Sequence, residues 1–227
     1  MLMFPKKINL LSFNKEEFNF NILIYFIFIA ILYILISLYT NHFILTISLY
    51  HNSFDSQLSY SRINELFSNR YRWEWVALAV LPLILLIRIS FTSACLAIGC
   101  FLQDFSLSFK NIFRISLAAE ICLAVGMVVR IIWLTFTPVT TLTDIQYFSP
   151  LSLAQLLGPK SIPKYLLYLC QTINVFEIAY WVVLAFGLVA FLQKPFSKMF
   201  KLVISSYGVG LLLWIIFVSY LTVTFSP

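Results

Sequence analysis

Charge is what this sequence has least of. Of 227 residues, 15 are Lys or Arg and 9 are Asp or Glu, so 11% are charged. A soluble domain carries about a quarter. Glycine is scarce at six, and there are only two histidines, His42 and His51. The four cysteines, Cys95, Cys100, Cys122 and Cys170, form no C-x-x-C pair. No Asn-x-Ser/Thr sequon occurs, which agrees with a bacterial chain. These shortages exclude a collagen, a disordered chain, a soluble globule and a disulfide scaffold. Polar sequence is too short anywhere for a soluble domain of its own. A phosphate loop is missing as well: Gly158-Pro159-Lys160-Ser161 lacks the upstream glycine and the strand before it.

Apolar residues fill the space that charge leaves. They make up 61% of the chain and aromatics 18%, with a mean hydropathy of +0.94. A bilayer-spanning helix needs about 20 apolar residues. Five runs qualify: Asn21 to Thr40, Trp75 to Phe101, Ile112 to Phe136, Tyr165 to Leu192 and Leu202 to Thr224. Their apolarity is continuous, which excludes the alternation of barrel strands. The expected fold is an all-α integral membrane protein, a bundle of five transmembrane helices. Residues 1–20 form a cytoplasmic tail, and 21–227 form a single transmembrane domain. The first run is too long for a signal-peptide core and reads as an uncleaved anchor.

Orientation follows from the basic residues between spans. One side carries Lys6, Lys7, Lys15, Lys110, Arg114, Lys194, Lys198 and Lys201. The other carries Arg62, Arg70, Arg72, Lys160 and Lys164. Eight against five places the N-terminus in the cytoplasm and the C-terminus outside, in a bacterial inner membrane. Tyr71, Trp73, Trp75 and Trp133 mark interface levels. The basic balance belongs to loops facing anionic lipid rather than to a nucleic-acid partner.

Two loops have content. His42 to Arg72 mixes apolar and polar residues and reads as holding an interfacial helix. Thr137 to Lys164 is punctuated by Pro138, Pro150, Pro159 and Pro163. Within it, Ser149 reads as the N-cap of a short interfacial helix over Leu151 to Leu157, stopped by Gly158.

Four charges fall inside the spans: Arg88, Arg130, Glu120 and Glu177. Such charges pair or face water. At 1.5 Å per residue, Arg88 lies about 20 Å from the inner end, Glu177 about 22 Å and Glu120 about 12 Å. Arg88 is therefore expected to pair with Glu177, with Glu120 as a second acceptor. Arg130, near the outer surface, is expected to snorkel. The set sums to zero, which suits a register-fixing ion pair as well as a proton or substrate path. His42 and His51, nine apart near Asp55, read as interfacial residues rather than metal ligands. The cysteines read as packing residues. Ser206 with Gly210, and Ser93 with Ala97, read as helix-contact positions.

The second half resembles the Yip family of five-span membrane proteins, and most closely its bacterial Yip-like relatives. The likeness runs from Arg72 to the end. It rests on Asn174-Val175-Phe176-Glu177-Ile178-Ala179-Tyr180-Trp181, on Leu184-Ala185-Phe186-Gly187, on the basic turn Lys194 to Lys201, on Trp214, and on Ser108 to Phe113 before Glu120. Eukaryotic members engage Rab GTPases. Their Asp-Leu-Tyr-Gly-Pro motif is absent here, so that activity is not carried over. The resemblance implies a topology and no catalytic residue.

The resulting expectation is a non-enzymatic scaffold or accessory subunit, with no cofactor or metal. Its partners would be the lipid bilayer and a membrane protein or a second copy of itself. A transport or export component using the charge cluster is the alternative, and a lipid-acting intramembrane enzyme a second.

Overall fold

A computed structural model describes residues 15–137 and 139–225; within these, the side chains of Lys15, Glu17, Lys160 and Lys164 are not described. Most of the expected N-terminal tail, with Lys6 and Lys7, and also Pro138 lie outside the described residues. The chain is an all-α bundle, an integral membrane protein, and among the described residues five helices are long and apolar enough to cross a membrane.

The first span is α1, Ile22–Tyr39, continued by a π-helical turn over Thr40–Ile44. Asn21 caps it, its Oδ1 accepting from the Leu23 amide at 3.0 Å. A short helix α2, Ile47–Phe54, follows as expected for the interfacial segment. The second span, α3, covers Tyr60–Leu102. It begins 15 residues earlier than the apolar run suggested. The sequence from Phe43 to Leu81 holds no glycine or proline to stop a helix; polarity marks the membrane boundary there, not the helix boundary. At 43 residues α3 is about 65 Å long, roughly twice the hydrocarbon thickness. Arg70 secures the extension, donating to the carbonyls of Asn41 at 2.8 Å and Leu45 at 3.3 Å.

The third span is α4, Phe109–Phe136. Short helices α5, Leu142–Tyr147, and α6, Leu153–Leu157, then cross the end of the bundle. The cap of α6 is Ser152, not Ser149. Leu151 sits at φ +55°, which breaks the helix before it can run back to Ser149. Gly158 ends α6 as expected, at φ +82°.

The expected fourth span is two helices, α7, Lys164–Thr172, and α8, Val175–Leu192. At the break, Leu153 N donates to Ile173 O at 2.9 Å and Val175 N to Leu151 O at 3.2 Å. Irregular backbone inside a bundle is tolerable only when it is paired in this way. The last span runs Phe196–Phe225, as α9 (Phe196–Val203), a π-helical turn (Ile204–Gly208) and α10 (Val209–Phe225).

Alternating spans define two ends. The near end joins Phe18 to Phe191 and sets Lys198 over the Phe105 ring. The far end joins Tyr39 to Thr135. Central α4 packs on α1, α3 and α8, and the last span closes on α3 and α8. Small residues set these distances. A Cβ on Gly187 would lie 2.4 Å from Ile115, and one on Gly99 2.5 Å from the Ser206 Cβ. Gly210 meets Cys95, and Ser93 is buried, as their packing roles required. The four thiols are free, with Cys100 and Cys170 buried.

Candidate functional site

The intramembrane charges do not pair as their depths suggested. Arg88 forms its ion pair with Glu120, not with Glu177. Its Nε donates to Glu120 Oε1 at 3.2 Å, and its Nη2 contacts Glu120 Oε2. The same Nη2 donates to the Tyr33 hydroxyl at 2.5 Å, and that hydroxyl donates to Glu120 Oε2 at 3.4 Å. Tyr33, Arg88 and Glu120 thus fasten α1, α3 and α4 through one group. Glu120 has no exposure, whereas the Arg88 side chain keeps 36%. A fork of two guanidinium bonds on a buried carboxylate satisfies both charges locally.

Glu177 is held differently. The helix break puts it in the first turn of α8, three residues after the cap. Asn174 Oδ1 accepts from the Glu177 amide at 2.9 Å. Asn174 Nδ2 donates to the carbonyls of Gln171 and Thr172, both at 3.1 Å, so one side chain caps two helix ends. A carboxylate at a helix N-terminus gains from the macrodipole. Trp181 Nε1 and the Tyr207 hydroxyl each donate to Glu177 Oε1 at 2.9 Å. Tyr207 stands in the π-helical turn of the last span, a local widening often found at functional positions. No described residue donates to Glu177 Oε2.

Arg130 is half-buried and does not simply run to the surface. Its Nη2 donates to Ile145 O of α5 at 2.8 Å, and its Nε is buried with no hydrogen-bond partner. No carboxylate among the described residues lies within ion-pair distance of it.

Arg88, Arg130 and Glu177 come together on the wall of one cavity of about 600 Å³. Its other walls are mainly apolar: Ile84, Ile87 and Phe91 from α3, Met127 from α4, and Trp214 from α10. Those five keep between 38% and 61% of their surface exposed, so the cavity opens sideways between spans. Pro150 and Tyr168 close its far end. Volumes of this size hold a small molecule or part of a lipid. Gly126 shapes the back wall, since a Cβ there would come 2.8 Å from the Phe176 ring.

The histidines stand apart. His42 meets Tyr71 at 3.0 Å and His51 meets Asn64 at 3.2 Å, both at the far end. Tyr33, Tyr207 and Asn174 are the site residues that charge counting alone passed over. A tyrosine eleven residues into the first span gave a signal only through its hydroxyl. Compared with protein-family models, curated proteins and solved structures, the chain matches none.

Proposed function

We propose that this protein is a non-enzymatic multi-pass component that binds a membrane amphiphile with an acidic headgroup in the lateral cavity. One observation carries the proposal. Arg130 faces an apolar cavity with an unpartnered buried Nε and no described counter-ion. A charge in that setting wants an anion, and it gains most from one that arrives with its own apolar surface. The headgroup's acid would sit on Arg130. A donor on the same ligand would meet Glu177 Oε2. The chain would lie along Ile84, Ile87 and Phe91.

A pure scaffold needs no such cavity, so ligand binding takes precedence over that expectation. Service as an accessory subunit or homo-oligomer is compatible with it and stays within the proposal. A transport role is the second reading. It is favoured by the break at Ile173–Asn174, which aims a helix N-terminus at the cavity, as discontinuous helices do at substrate sites. The Yip-like resemblance contributes the span plan to this proposal and no ligand.

The test is purification from the native membrane in mild detergent, with lipid mass spectrometry. The wild type should retain an acidic amphiphile near stoichiometry in this cavity, and Arg130→Gln should lose that equivalent. Equal retention by both proteins, or none by the wild type, would overturn the assignment. A stoichiometric protein partner in the same preparation would identify the complex.

A further inference from the structure

A second groove lies at the near end, between the start of α1 and the start of α4. Its volume is about 790 Å³, and Ile22, Leu23, Phe26 and Phe113 form its apolar wall. Lys110 and Arg114 line it, together with Asn19 and Asn21. Among the described residues, no acidic side chain lines it.

The electrostatics of this groove are unfavourable as the chain stands. Lys110 and Arg114 are four apart on one helix, where like charges repel. Lys110 stands in the first turn of α4, where the macrodipole is positive and a cation has the wrong sign. Ser108 caps α4 without a side-chain hydrogen bond; its carbonyl accepts from the Asn111 and Ile112 amides, which leaves the amides of Phe109 and Lys110 without help from it. Arg114 Nε is buried and has no partner. Neither Lys110 nor Arg114 forms an ion pair among the described residues. An anion in the groove would offset all of these costs, attracting both cations and the helix N-terminus.

We infer that this groove binds the phosphate of an anionic membrane lipid, held by Lys110, Arg114 and the first-turn amides of α4. The apolar wall favours a lipid over free phosphate. Leu23 is 65% exposed beside the charged rim, which places an acyl surface directly next to a headgroup site. The Asn21 carboxamide has its Oδ1 committed to the Leu23 amide, leaving its amino group to donate to a phosphate oxygen. Basic pockets between spans recognise headgroups by this chemistry. The inference stands apart from the lateral cavity, which shares no residue with this groove.

The experiment is native mass spectrometry of the full chain from nanodiscs of mixed phosphatidylglycerol and phosphatidylcholine. The wild type should hold one phosphatidylglycerol in preference to phosphatidylcholine by about thirtyfold, the expectation for two cations near a surface. K110Q/R114Q should reduce that preference to about twofold or less. K110R/R114K, which keeps both charges, should retain it and so controls for folding. Arg130→Gln should keep the phosphatidylglycerol that K110Q/R114Q loses, which separates this site from the lateral cavity. An unchanged preference in K110Q/R114Q would refute the site. Displacement of the lipid by inorganic phosphate would refute the lipid as its occupant.

Discussion

Arg88→Ala tests the central ion pair most directly. It removes both guanidinium bonds from Glu120 and the bond to Tyr33. Glu120 has no exposure in the folded protein, and Tyr33 is the one other described residue that bonds its carboxylate. Stranding one member of a buried pair costs about 3–5 kcal/mol. At about 2–4 °C per kcal/mol for a chain of this size, Tm should fall by about 6–20 °C. The assay is thermal unfolding in mild detergent, followed by circular dichroism. Arg88→Ala with Glu120→Gln should recover much of the loss, because it removes the stranded charge. Arg88→Ala with Glu177→Gln should recover none. Arg88→Met with Glu120→Leu should lie near the wild type. The reasoning fails if Glu177→Gln rescues and Glu120→Gln does not, or if Arg88→Ala melts with the wild type.

Two further outcomes follow from the helix break and the charge pattern. Asn174→Ala removes the cap of α8 and both bonds to the end of α7, and should cost about 1–2 kcal/mol. Asn174→Ser keeps a cap oxygen and should lose less; melts in which it loses as much as the alanine variant would discount the cap. The basic bias at the near end predicts that a reporter fused after the last residue is active outside the cytoplasm. Cytoplasmic activity would reverse the orientation.

The number of spans and their helical character were legible in the sequence, because membrane apolarity leaves a chain almost no other way to satisfy its backbone. The four buried charges were legible for the same reason: so few occur that each stands out. Partner choice was not. Depth along separate helices placed Arg88 level with Glu177, and a pairing follows from level only if the helices also face each other. Reading α7 and α8 as one span made Glu177 a bare mid-membrane charge in need of an arginine. The break at Ile173–Asn174 arises from backbone pairing with Leu151 and Leu153, 20 or more residues away in sequence. That distant contact gives Glu177 a helix N-terminus, and the π-helical turn brings Tyr207 to it. Arg88 is then free for Glu120, and Arg130 is left facing the cavity. Composition decided what this chain is dissolved in; which helix faces which decided its site, because a side chain's partner depends on rotation and packing that no single span encodes.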